Sequence, residues 1–199
     1  GVTLRYNAQC VFSKSPVFAS GNITVNGNYN PWDGVSTEAV TPNAAGEYEI
    51  STPAQLAWLA QQVNGGGNFA GQTVLLAEDI YLGGHEWTPV GNGSRLGSVA
   101  AGNQFQGIFD GGGHTIHDLK ISQTQGADYA TGFFGVVKDG TVKNLKFENA
   151  DINVEDSEMA AVAIGMLSGS SALAENIEVI SGSVTAGRGN AGIVGRMTK

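Results

Sequence analysis

Phe105-Gln-Gly-Ile-Phe-Asp-Gly-Gly-Gly-His-Thr-Ile-His-Asp-Leu-Lys-Ile121 decides the reading of this chain, because its second half recurs twice downstream. Ile116-x-x-Leu119-x-Ile121 becomes Val142-x-x-Leu145-x-Phe147 and then Ala174-x-x-Ile177-x-Val179, with Asp118, Asn144 or Asn176 before the central apolar residue. The copies lie 26 (142 − 116) and 32 (174 − 142) residues apart, a spacing typical of stacked-coil architectures. A second pattern keeps step: Gly132-Phe-Phe-Gly135-Val-Val137, Gly165-Met-Leu-Ser-Gly169 and Gly192-Ile-Val-Gly195-Arg-Met197, at intervals of 33 (165 − 132) and 27 (192 − 165). Each coil then carries a Gly-bounded strand, the apolar-x-x-apolar-x-apolar strand and a third short run such as Ile152-Asn-Val154 or Val184-Thr-Ala186. Three strands per coil predict a triangular section with apolar side chains inside and successive coils paired in parallel, about 4.8 Å apart. Asp118, Asn144 and Asn176 are expected to share one corner, bonding backbone groups that the turn leaves free.

Upstream, one helix is predicted over residues 52–64. Thr52 is its N-cap, Pro53 sits where a missing N–H costs nothing, and Gln55 completes a capping box. Leu56, Leu59, Ala60 and Val63 make one apolar face, Gln61 and Gln62 face water, and Gly65 stops the helix. That face needs a surface to cover, and the open end of a stacked β core is the nearest one. Trp58 beside it reads as packing rather than a ligand platform. Between helix and repeats, residues 72–82 predict two short strands around Glu78-Asp79, and residues 92–104 predict a projecting loop. Residues 1–46 read as lead-in strands and loops, with Val2/Leu4/Tyr6, Val17-Phe18 and Ile23/Val25 as the strand candidates. Residues 47–199 read as the β domain.

Composition agrees with an all-β chain: 30 glycines and 14% charged residues suit many tight turns and short strands. Ten Lys+Arg against 18 Asp+Glu give a net charge of −8, which argues against nucleic acid or an anionic membrane as partner. Cys10 stands alone and reads as a small, unreactive thiol. No apolar run is long enough to insert in a membrane as a helix.

Several spaced motifs carry a resemblance: Glu49-Ile-Ser-Thr-Pro-Ala-Gln-Leu-Ala-Trp-Leu-Ala60, Asp79-Ile-Tyr-Leu-Gly, Trp87-Thr-Pro-Val-Gly91, the stretch from Phe105 to Ile116 and the Gly-bounded runs. Over roughly residues 47–199 the chain resembles the GLUG-motif proteins. These are bacterial surface or secreted proteins, common in Bacteroides-type gut organisms, and the motif also occurs in the non-catalytic parts of immunoglobulin-A-cleaving metallopeptidases. Gly165-Met-Leu-Ser-Gly169 departs from the pattern by one extra residue between its glycines. The resemblance implies a right-handed parallel β-helix on a bacterial cell surface with an adhesin-like role. Right-handedness is also what the crossover rule favours. The family supplies no established catalytic residues to carry over.

Chemistry is sparse by comparison. His85-Glu86-Trp87-Thr88-Pro89 lacks the second His of a zinc-peptidase helix and runs into a Pro. His114 and His117 would point to opposite faces of a strand. Glycoside hydrolysis needs two carboxyls facing one another, and no strand-borne carboxylates recur in register between residues 105 and 197. The carboxylates singled out as a candidate binding surface are Asp110, read as a corner residue, and Asp151 with Glu155, Asp156 and Glu158, read as a solvated patch without calcium-loop spacing.

The sequence therefore predicts a non-catalytic, extracellular or cell-surface adhesin-like module with no cofactor and no metal. It would bind a glycan or host protein, or present other domains. A carbohydrate-active β-helix enzyme, lyase or hydrolase, is the competing reading. Because the Gly192–Met197 strand ends without its coil partner, the chain is further expected to be part of a longer polypeptide or to pair end to end with a second copy.

Overall fold

Residue Thr52 starts the helix as its sequence requires. In the computed structural model, which describes residues 31–93, 103–123, 129–187 and 190–198, Thr52 accepts from the Gln55 N–H and the Gln55 side chain accepts from the Thr52 N–H. Helix α1 (Pro53–Asn64) buries Leu56, Leu59 and Val63 completely and leaves Gln61 and Gln62 exposed. Strand β1 (Tyr48–Ile50) precedes it, packs against it and begins the stack. Cys10, the strands expected before residue 26 and most of the 92–104 loop lie outside the described residues.

All strand pairings are parallel. A partial leading turn carries β2 (Thr73–Leu76) and β3 (Ile80–Tyr81). The next turn carries β4 (Ile108–Asp110), β5 (Thr115–His117), β6 (Lys120–Ile121), β7 (Ala130–Thr131) and β8 (Phe134–Lys138). A third has β9 (Thr141–Glu148), β10 (Ala150–Val154), β11 (Met159–Ala161) and β12 (Ile164–Ser168). The last has β13 (Leu173–Val179), β14 (Gly182–Ala186), β15 (Asn190–Ala191) and β16 (Val194–Thr198). The expected parallel β-solenoid is therefore the fold: three 3-stranded sheets and one 7-stranded sheet share the turns.

Three details of the expected stacking are corrected. Each full turn meets four sheets rather than three, so the section is not triangular; the added sheet, β7–β11–β15, is built from strands of two or three residues, too short to show a period. The first step of the motif alignment slips: Val142 stands on Phe109 and Phe147 on Ile116, while Ala174 on Val142 and Ile177 on Leu145 hold as expected. The step at Ile116 is 31 residues (147 − 116) rather than 26, because the same apolar spacing recurs one corner later at Phe147-x-x-Ala150-x-Ile152, and Ile121 stands on Ile152. Phe109 and Ile116 are seven residues apart (116 − 109) where Val142 and Phe147 are five (147 − 142), and Gly112 and Gly113, at φ 61° and 82°, loop out beside an unbroken β9. Third, Gly165 lies opposite Gly135, not Gly132, because Ile164 pairs with Phe134 and Met166 with Val136. The extra residue between glycines disappears in that register. A Cβ on Gly165 would collide with the backbone of Ala130 and Thr131, so the tight fold between β11 and β12 admits glycine alone.

Columns run through the interior: Val74–Phe109–Val142, Ile80–Ile116–Phe147 and Ile121–Ile152 are fully buried. Leu119 and Leu145 are equally buried. Phe105, Phe109, Phe133, Phe134 and Phe147 fill the centre at ring separations of 5.1–6.1 Å, mostly edge to face, the arrangement the ring quadrupole favours. Val90 and Phe105 both bridge to β8, at Phe134 and Val137.

Candidate functional site

The outward face of the large sheet gathers the polar residues into ladders. Asn144 and Asn176, both in the left-handed region at φ 55° and 49°, stack as expected, but their bonds run between side chains rather than to the free backbone groups expected, with Asn176 Nδ2 donating to Asn144 Oδ1 at 2.9 Å. The lower rung is Asp110, not Asp118: Asn144 Nδ2 donates to Asp110 Oδ1 at 3.0 Å, and so does the Gly112 N–H. Lys143 Nζ reaches Asp110 Oδ2 at 3.1 Å. Partial burial works against the Asp110 charge, but the donors Asn144 and Gly112 and the Lys143 ammonium outweigh it and hold the carboxyl below its ordinary value. By register the outer column reads Asp110–Lys143–Glu175, alternating in sign.

Asp118 caps a different corner. It has φ 58°, and its Oδ1 accepts from Asn149 Nδ2 at 2.6 Å, while the Asn149 N–H donates to Ser181 Oγ at 2.9 Å. The slip of the first coil explains the misplacement, since it carries Asp118 past the bend at Asn144. Asp139 ties down Ser171 in the following turn, at 3.1 Å from its hydroxyl. Glu86 accepts from the N–H groups of Ser122 and Gln123 and from the Ser122 hydroxyl, at 2.7–2.8 Å. Local sequence could have flagged these: Asp or Asn before a turn, with a Ser or Asn one coil later, is a capping pair.

The two histidines do not form a pair with each other. His114 precedes β5 in the turn, so strand alternation does not govern it, and its Nδ1 lies 3.2 Å from Asp79 Oδ1. His117 stacks on Tyr81 at 4.3 Å and 5° between planes, with Nδ1 at 3.1 Å from Glu148 Oε2. Its Nε2 is buried without a partner among the described residues.

The acidic residues singled out from sequence fall in separate places. Asp110 belongs to the ladder just described. Asp151 is exposed on β10, where the Ser183 hydroxyl donates to it at 3.3 Å. Glu155 and Asp156 are exposed in the turn after β10, four residues beyond Asp151, or about 13 Å along an extended strand. Glu158 is half-buried past that turn. Among the described residues no three His, Cys, Asp or Glu side chains are placed to hold a metal ion. None of their helices is long and apolar enough to cross a membrane.

An aromatic cluster beside α1 escaped the sequence reading. Trp58 stacks on Tyr48 at 6.0 Å, and Phe69 meets both rings edge-on at 6.3 and 5.2 Å. Only the fold brings β1, the helix and the following loop together.

No protein-family model matches the chain. No solved structure matches it. A segment of Halomucin from Haloquadratum walsbyi is 34% identical over 118 residues, covering 58% of this chain and 1% of that protein. The chain thus spans about 1% of the length of this curated relative.

Proposed function

We propose that this chain is a GLUG-type, non-catalytic module of an extracellular or bacterial cell-surface protein, one that binds a glycan or host protein or carries other domains. The observation that supports this most is how the outward polar groups are used. Asp110 accepts from Asn144 and Gly112, Asp118 from Asn149, Asp139 from Ser171, and Glu86 from Ser122 and Gln123, so each is tied to the next coil or a neighbouring turn. Groups engaged in this way hold coils in register rather than donate protons to a substrate. A solenoid of parallel coils is also a common means of building a long, stiff surface structure. Likeness to a small part of a very long protein named Halomucin is compatible with that setting. An adhesin-like role follows from the motif resemblance and from the polar, uncharged rim described below.

A reducing-sugar assay over host and plant glycans, set beside glycan-array binding, tests the proposal. Binding without release of reducing ends is expected. Turnover of any glycan would move the chain to the carbohydrate-active enzymes.

A further inference from the structure

Beside the capping helix lies a cavity of about 360 Å³, inside the range of small-ligand sites, and its lining carries no charged residue. Its aromatic side is the Tyr48–Trp58 stack over Phe69, and its polar side is Gln62, Asn68 and Gln72. Tyr48 and Trp58 are only half-buried, and Gln62 and Gln72 are exposed. The Tyr48 hydroxyl, the Trp58 indole N–H and the amides of Gln62 and Gln72 have no hydrogen-bond partner among the described residues. Such tips are usually paired once a ring is taken out of water.

The floor is held rigidly. Phe69 is a buried aromatic residue at φ 58°, a conformation that costs a bulky side chain energy and persists only where the surroundings impose it. Hydrogen bonds from the Gln72 N–H to Phe69 O, from the Ala70 N–H to Asn68 Oδ1 and from the Gln106 N–H to Asn68 O fix the loop on either side. Strain of this kind, in a concave site with idle donors and acceptors, is what a preformed binding site contains.

We infer that this cavity binds one neutral sugar ring of a glycan, resting on the proposal that the module binds glycans. The C–H face of a pyranose matches the half-exposed rings of Tyr48 and Trp58. Its hydroxyls, each both donor and acceptor, match the amides of Gln62 and Gln72, which carry both functions as well. An anionic ligand finds no cation in the lining, and a purely apolar one would bury the amides unpaired.

Titration of the whole chain with neutral hexoses, N-acetylhexosamines and their disaccharides, followed by tryptophan fluorescence and calorimetry, tests the inference. At least one neutral sugar should bind saturably, and its uronic acid counterpart should bind about tenfold more weakly or worse. Gln62→Ala/Gln72→Ala, both at exposed positions, should lower that affinity about tenfold with an unchanged melting temperature. Trp58→Phe should weaken it less and alter the fluorescence response. Binding that survives both variants unchanged overturns the cavity as the site and leaves the glycan-binding module standing. If no saccharide in the panel or on the array binds the whole chain, the cavity and the glycan-binding reading both fail.

Discussion

The two ends of this solenoid are made from the same columns and finish differently. At the N-terminal end, α1 packs against β1, and its Leu56, Leu59 and Val63 are fully buried in the core. In the last turn, Ile177, Val179, Val184 and Val194 occupy the same inward columns yet are only half-buried, and Leu173, Ile180 and Met197 are 46%, 49% and 73% exposed. Phe147 and Val179 are direct neighbours in one column, and among the described residues only the first has a rung on each side. Burial in a stack is thus set by what covers a rung more than by residue type.

Core truncation should break this comparison most sharply. Leu59→Ala is expected to cost about 2–5 kcal/mol in urea unfolding, whereas Ile177→Ala should cost about 1–2 kcal/mol, because its side chain is already partly in water. Equal losses would mean the helix does not seal the core.

The asparagine ladder gives a smaller contrast of the same kind. Asn144 bonds to a rung on each side, Asn176 to one, and both sit at positive φ. Asn144→Ala should cost about 2–3 kcal/mol and Asn176→Ala about 1–2 kcal/mol, each including about 1 kcal/mol for placing Ala in the left-handed region. Asn144→Gly removes only the hydrogen bonds, so a Gly variant as unstable as the Ala variant would show that backbone strain contributes little.

The exposed rung offers a third test. Each of β13, β14, β15 and β16 pairs with one strand among the described residues, which leaves a backbone edge beside the apolar side chains just named. Sedimentation of this chain is expected to show concentration-dependent end-to-end association, and Ile177→Lys should suppress it. A species that stays monomeric at every concentration would sink that expectation.

The smallest effect concerns pH. Asp110 is held below its ordinary 3.8, and Asp33 is lowered to about 2 by the Ser36 hydroxyl first, then by the Ser36 and Val35 N–H groups. Groups with depressed folded values contribute stability that is complete above the unfolded value and is lost as pH falls through the folded one. Stability should therefore be flat above pH 3.8 and fall modestly toward about pH 2, less steeply in Asp110→Asn. A fall that begins near neutrality would mean that these two carboxylates do not govern the acid limb.

Much of the fold was legible because it depends on neighbours in sequence. The Thr52–Gln55 capping box, the apolar face of α1, the stacking of Asn144 and Asn176 and the 32-residue step from Val142 to Ala174 (174 − 142) all hold in the structure. The first register step was not legible. Ile116-x-x-Leu119-x-Ile121 matches Val142-x-x-Leu145-x-Phe147 in pattern, but it matches Phe147-x-x-Ala150-x-Ile152 as well, and only pairing against β9 and β10 decides between them. For the same reason the Asn ladder gained Asp110 and lost Asp118.

By itself the sequence determined that this chain winds into parallel coils under a capped helix, since periodicity, turn residues and caps are short-range properties written into consecutive side chains. Which rung rests on which, how many sheets a turn meets, and that Tyr48, Trp58 and Phe69 close around one cavity were decided by the tertiary structure. Those are contacts between residues far apart in the chain, and their geometry is fixed only when backbone hydrogen bonds between coils and packing across the core are satisfied together.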